Sequence, residues 1–287
     1  MFRKMLVCTD LTPASYSLIH CAAALKEIGT KEVVLTHVVH VANTPGLEDM
    51  LAQDAEPVLE RQKNLIETQG VKVTLEMPLG VPARTLEDTA ERHDVCAILV
   101  GSHGKGIIKA ATLGSVSGGL LHKTRRPLLL VRTPLRGEGE SGLACRNMFA
   151  RVLFPTDFSE TAELALDYLG KITLETGCPV TLMHVVAAKE DDLLTADRRE
   201  EDARYLLEAK KRRLERLGAA EVSIDLVHGK PAEEIVARTK NGGFSIVVLG
   251  GQGQGFLKEL FLGSTANEVA RHAELPLLFI PSQREPQ

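Results

Sequence analysis

Two halves of this 287-residue chain carry the same residues in the same order. Thr9-Asp10 returns as Thr156-Asp157, and His37-Val38-Val39 returns as His184-Val185-Val186, both 147 positions on. Gly80-Val81-Pro82-Ala83 returns as Gly229-Lys230-Pro231-Ala232 at 149 positions. Gly101, Gly104, Gly114 and Pro127 keep that 149 and return as Gly250, Gly253, Gly263 and Pro276. A period this long lies far outside the roughly 20–50 residues of solenoid and propeller repeats. It describes a duplicated domain, and at about 100–200 residues per domain the chain has room for two. The expected division is residues 1–134, a linker at 135–148, and residues 149–287. The joint TPLRGEGESGLACRNM (133–148), rich in glycine and mixed charge, suits a surface linker.

Within each half, short β-rich runs alternate with helical patterns. Residues 4–9, 33–39, 71–76, 97–100 and 128–132 read as strands, repeated by 151–156, 180–186, 222–227, 245–249 and 277–281. Helices are expected at 15–28, 51–68, 82–92 and 115–123, and again at 161–175, 197–217, 231–240 and 264–272. Proline opens the third helix of each set, where its missing N–H does no harm. Continuous apolar strands separated by helices imply a parallel sheet covered on both faces, with right-handed crossovers. The fold class is therefore α/β: two tandem copies of a doubly wound, five-stranded parallel sheet. Ligands of such sheets sit beyond the carboxyl ends of the strands, where strand order reverses.

The stretch GSHGKGIIKAATLGS (101–115) follows the fourth strand of the first half, and GGQGQGFLKELFLGS (250–264) follows that of the second. Gly101 and Gly104, like Gly250 and Gly253, have no Cβ and let a ligand approach the backbone. Gly114-Ser115 and Gly263-Ser264 then open a helix, whose unpaired N–H groups and positive dipole end suit an anion. Asp10 and Asp157, after the first strand of each half, face the same crevice. The lysine of GxxxxGK[ST] is missing, and so is a GxGxxG before a helix, so neither a P-loop nor a dinucleotide fingerprint is present.

At these residues the chain resembles the universal stress protein family in its tandem, two-copy form. GxxG, nine residues, then G with Ser or Thr is complete in both halves, and PTDFSETA opens the second copy. The resemblance covers nearly all of both domains and implies an adenine nucleotide alpha hydrolase-like fold. It implies that Gly101, Gly104, Gly114, Ser115, Val116 and Ser117 hold the ribose and phosphates of ATP, AMP or ADP, with magnesium as an optional companion. Gly250, Gly253, Gly263, Ser264 and Thr265 would do the same in the second copy. Asp10 and Asp157 match the family's acidic residue, and Val38 and Val185 would line the adenine pocket. Cys8 stands where the second copy has Pro155, and Gly251-Gln252 replaces Ser102-His103. The dimers of single-domain members imply that the two copies pair through their last strands, 128–132 and 277–281; a homodimer of the whole chain is left open.

Other features narrow the function. A net charge of -4 provides no electrostatic footprint for nucleic acid or an anionic membrane. The N-terminus turns polar too soon for a signal peptide, and no uncharged run approaches about 20 residues. Five scattered cysteines without a CxxC read as reduced thiols of a cytoplasmic protein. His37 and His40, three apart on a strand, face opposite sides and make a poor chelate, so no metal site is expected. The charged run KEDDLLTADRREEDARYLLEAKKRRLERLG reads as an ordinary exposed helix. Three classes stay open: a nucleotide-dependent regulatory switch with an unknown protein partner, a slow ATPase or phosphotransferase, and a scaffold with empty sites. Each crevice offers one aspartate and surface lysines (Lys105, Lys109, Lys258), too little for committed catalysis, so no catalytic residue is assigned.

Overall fold

Buried runs of branched aliphatic residues make the strands, and punctuation by proline, glycine and serine sets the helices between them. The computed structural model describes residues 2–40, 46–102, 113–132, 147–187, 193–253 and 262–282. It divides into two units, Met1–Asn147 and Met148–Gln287. In the first, strands β1 (Lys4–Cys8), β2 (Glu32–Thr36), β3 (Lys72–Glu76), β4 (Ala97–Gly101) and β5 (Leu128–Val131) alternate with helices. The helices are α1 (Ser15–Ala24), α2 (Glu48–Glu67), α3 (Pro82–Arg92) and α4 (Ser115–Lys123). The second unit repeats them as β6 (Val152–Pro155), α5 (Glu160–Thr176), β7 (Val180–Val186), α6 (Leu193–Arg216) and β8 (Val222–His228). It ends with α7 (Pro231–Asn241), β9 (Ile246–Gly250), α8 (Ser264–His272) and β10 (Leu277–Ile280).

The strand order is β3-β2-β1-β4-β5 in the first unit and β8-β7-β6-β9-β10 in the second, with parallel pairs within each. Strand order thus reverses between β1 and β4, and between β6 and β9. Helices α1 and α2 pack together while α3 packs on α4; likewise α5 packs on α6 and α7 on α8. Each unit is therefore a sheet between two helical layers, which is the expected class.

Local chemistry explains the boundaries. Ser159 caps α5 by accepting the N–H of Ala162, and left-handed Gly177 closes it with a 2.8 Å bond from its N–H to Thr173 O. Pro82 and Pro231 sit in the first turns of α3 and α7. The first helix, expected to run to residue 28, tightens after Ala24 into a 3-10 turn, Leu25–Ile28, that ends on left-handed Gly29. Strand β2, expected to reach residue 39, stops at Thr36, whereas β7 continues to Val186. Pro78 accounts for the difference: it lacks the N–H that its counterpart Val227 brings to the longer β8 ladder. Only an isolated bridge between Val39 and Leu79 persists beyond it.

Cys21 is disulfide-bonded, while Cys8, Cys96 and Cys178 are free. This corrects the expectation of five reduced thiols, because scattered spacing cannot reveal which residues the fold brings together. Among the described residues, no helix is long and apolar enough to cross a membrane. The linker read at 135–148 lies almost wholly outside the described residues.

Candidate nucleotide site

In the second unit, the crevice opens between the carboxyl ends of β6 and β9. The chain leaves β6 through Thr156 and Asp157 and turns on Phe158, a non-glycine residue at φ 64°. Thr156 Oγ1 accepts the Phe158 N–H at 3.1 Å, and Asp157 Oδ1 accepts the Ser159 N–H at 3.1 Å. The first unit builds the same turn: Leu11 has φ 62°, and its N–H donates to Thr9 Oγ1 at 3.1 Å. Held left-handed residues of this kind store strain and are characteristic of ligand sites.

The glycines after β9 have separate physical causes. A Cβ at Gly250 would lie 2.9 Å from the backbone carbon and oxygen of Thr161, so helix α5 itself demands that glycine. A Cβ at Gly251 would lie 2.5 Å from the Phe279 ring. At Gly253 the neighbour is Asp157 Oδ2, 2.5 Å from a Cβ, so the aspartate and the glycine loop meet across the crevice. Gly263 caps α8 in an extended conformation with no side-chain cap, and its N–H donates to Gly251 O at 2.8 Å. Among the described residues, the first-turn amides of α8 therefore have neither an intrahelical nor a capping acceptor.

One cavity of about 710 Å³ is lined by Asp157, Val185, Gly250, Gly253, Gly263, Ser264 and Thr265. All seven second-copy residues singled out in the sequence thus share one wall system. His184 and Phe158 complete its floor, with ring centroids 4.5 Å apart. His184 Nδ1 bonds Thr156 O at 2.8 Å. A carbonyl only accepts, so Nδ1 carries the proton. Lys210 lies over the outer side of Phe158, 5.5 Å from its centroid, and pairs with Glu163.

Sequence reasoning missed the wall that α6 supplies through Arg199, Asp202, Ala203 and Leu206, and the part α7 supplies through Pro231 and Ile235. No motif marks them. The helix expected at 197–217 spans Leu193–Arg216, 24 residues and hence about 36 Å, long enough to reach the cavity.

In the first unit, Asp10 Oδ1 accepts both the N–H of Thr12 at 3.1 Å and its hydroxyl at 2.6 Å. Its Oδ2 is buried without a hydrogen-bond partner among the described residues, an orphan acceptor that suits a ligand donor. Gly101 ends β4, and Val38 is half-buried beyond β2. Gly114 caps α4 as Gly263 caps α8, and its N–H donates to Ser102 O at 2.8 Å. Ser115 is exposed and Val116 half-buried on the first turn. The buried Ser117 hydroxyl donates to Ser102 O and Gly114 O, both at 3.1 Å, so it braces the cap; what it offers an anion is its backbone N–H. Gly104 lies outside the described residues, as do His103, Lys105, Lys109 and Lys258. Cys8, beneath this turn, is buried; desolvation, then the charge of Glu87, pushes its thiol far above the ordinary range, so it is no nucleophile. His37 and His40 bond different carbonyls, Thr9 O at 2.9 Å and Gly80 O at 3.0 Å.

Comparison with known proteins identifies the pattern. Residues 1–132 and 148–281 each match the model of the universal stress protein family. A universal stress protein of Mycolicibacterium smegmatis is 25% identical over 293 residues, covering 96% of each chain. The universal stress protein MJ0577 of Methanocaldococcus jannaschii is 30% identical over 155 residues, 46% of this chain and 95% of its own. Among solved structures, a universal stress protein from Archaeoglobus fulgidus superposes with a TM-score of 0.75 at 26% identity, covering 97% of this chain and 98% of that one.

Proposed function

This chain belongs to the universal stress protein family, and from that premise we propose that it is an adenine-nucleotide-binding regulatory protein of the stress response. The observation that carries the reading is the second copy's cavity, which joins an uncapped helix N-terminus, a glycine loop and a facing aspartate. These groups fit a nucleotide. The α8 amides beyond Gly263 and the Ser264 hydroxyl would hold phosphate oxygens. Asp157 would accept from a donor on the nucleoside, and Val185 provides an apolar wall for a base. Asp10, Val38, Gly101 and Gly114 to Ser117 supply the matching groups of the first copy.

The bound nucleotide acts as a switch of conformation or of partner binding. Such a cradle meets the phosphates before and after any bond change alike, and uniform binding does not accelerate chemistry. The ionisable side chains among the described residues lining the cavity are Asp157, His184, Arg199 and Asp202, which supplies no clamp of cations around a transferring phosphoryl group.

Pairing of the copies through residues 128–132 and 277–281 belongs to the same reading, since each is the last strand of its own five-strand order and an unpaired sheet edge invites association. The deciding experiment is mass spectrometry of small molecules released from the purified protein, followed by calorimetric titration of the stripped protein with ATP. Adenine nucleotide in the released fraction and two ATP sites per chain are expected; neither retained nucleotide nor binding heat would overturn the reading.

A further inference from the structure

The glycine loop of the second copy is held from the start of α5. In the second copy, two hydroxyls of the α5 first turn converge on one main-chain oxygen: Ser159 Oγ donates to Gln252 O at 3.1 Å, and Thr161 Oγ1 donates to the same atom. Within a planar trans peptide, the Gln252 C=O and the Gly253 N–H point in opposite directions. Drawing the oxygen towards α5 therefore turns the Gly253 N–H away from it. The Gly253 nitrogen lies 3.6 Å from the position of a Cβ on Gly263, beside the cap of α8. That N–H donates to no main-chain acceptor among the described residues, so it is placed to add a further donor to the phosphate cradle.

The first copy offers no such pair of hydroxyls. Thr161 is replaced by Ala14, which has no hydroxyl, and Ser159 by Thr12, whose hydroxyl is bonded to Asp10 Oδ1 at 2.6 Å. We propose that Ser159 and Thr161 are positioning residues of the second copy, and that they make it the tighter of the two nucleotide sites. The inference deepens the nucleotide reading and rests on it.

Hydrogen–deuterium exchange of the full chain during an ATP titration reads each copy separately. In the wild type, protection of residues 249–253 should reach half-maximum at an ATP concentration about tenfold lower than protection of residues 99–102, the span of one good hydrogen bond. Thr161→Val, which keeps the shape and removes the donor, should raise the second midpoint about tenfold and leave the first alone. Thr161→Ser should restore it. Equal midpoints in the wild type, or a Thr161→Val midpoint that does not move, would overturn the proposal. An ATP-free arm separates this from failure of the nucleotide reading. Without ATP, Thr161→Val should speed exchange at residues 252–253 and Thr161→Ser should not. Unchanged exchange overturns the hydroxyl latch whatever the protein binds, whereas absence of any ATP protection in either copy overturns nucleotide binding itself.

Discussion

The imidazole Nδ1 of His184 donates to the main-chain oxygen of Thr156 at 2.8 Å, tying the end of β7 to the residue before Asp157. His37 makes the corresponding bond to Thr9 at 2.9 Å. Two strand ends on one side of each crevice are thus fixed by a side chain in addition to the main-chain bonds from Thr156 N–H to Met183 O at 2.8 Å and from Thr9 N–H to Thr36 O at 3.0 Å. His184→Ala should cost about 1–2 kcal/mol, from the lost bond and the stranded carbonyl, read as a lower urea midpoint at unchanged slope. An unchanged midpoint would mean the bond is not a structural tie.

The glycines of the second motif should separate into two classes. Gly250→Ala puts a methyl 2.9 Å from α5 backbone, which cannot yield without moving the helix, so a loss of about 1–3 kcal/mol is expected from overpacking. Gly263→Ala meets Gly251 O at 3.4 Å with an ordinary φ of −69°, and should fold with near-native stability. Gly263→Val brings branched bulk over the α8 amides, and calorimetry should find the ATP stoichiometry halved with circular dichroism unchanged. Full stoichiometry in Gly263→Val would move the phosphate site elsewhere.

How much of this was legible beforehand varies with the kind of interaction. The repeat, the strand–helix alternation and the position of the glycines after β4 and β9 follow from local pattern and register, and helices α3, α4 and α8 have the expected limits. The early end of β2 was not read, because it depends on Pro78 in the neighbouring strand. The packing of Gly250 against α5 was not read for a similar reason: in a sequence, a glycine that admits a ligand and one that admits a helix backbone are identical. Arg199 and Asp202 sit on a helix whose charges suit open solvent, and only the three-dimensional crossover brings its first turns over the cavity. The Gln252 latch was invisible because it ends on a backbone oxygen.

A pH dependence follows from Glu76 at the end of β3. Burial opposes ionisation, but hydrogen bonds from His93 at 2.7 Å and Arg92 at 3.1 Å, with the Arg92 charge, hold the carboxyl below its ordinary value of 4.5. A carboxyl depressed in the folded state contributes stability above its unfolded pKa and loses it as pH falls through the folded one. Glu76→Gln should therefore lower the unfolding temperature near neutrality, and the gap from wild type should narrow as the pH drops below 4.5. A gap that stays constant across that range would show that the pairing is electrostatically idle.

Turnover separates a switch from an enzyme. Asp157 faces Gly253, and among the described residues one oxygen of Asp10 is buried without a partner; on the switch reading, both carboxylates receive a donor from the nucleoside and do not activate water. Asp10→Asn with Asp157→Asn should weaken or reorient the nucleotide without removing a catalytic step. Phosphate release in the presence of ATP and magnesium should stay far below the ~1 s⁻¹ of an ordinary enzyme in both the wild type and the double variant. Steady release near that rate, abolished in the variant while ATP still binds, would reject the switch and make the aspartates catalytic.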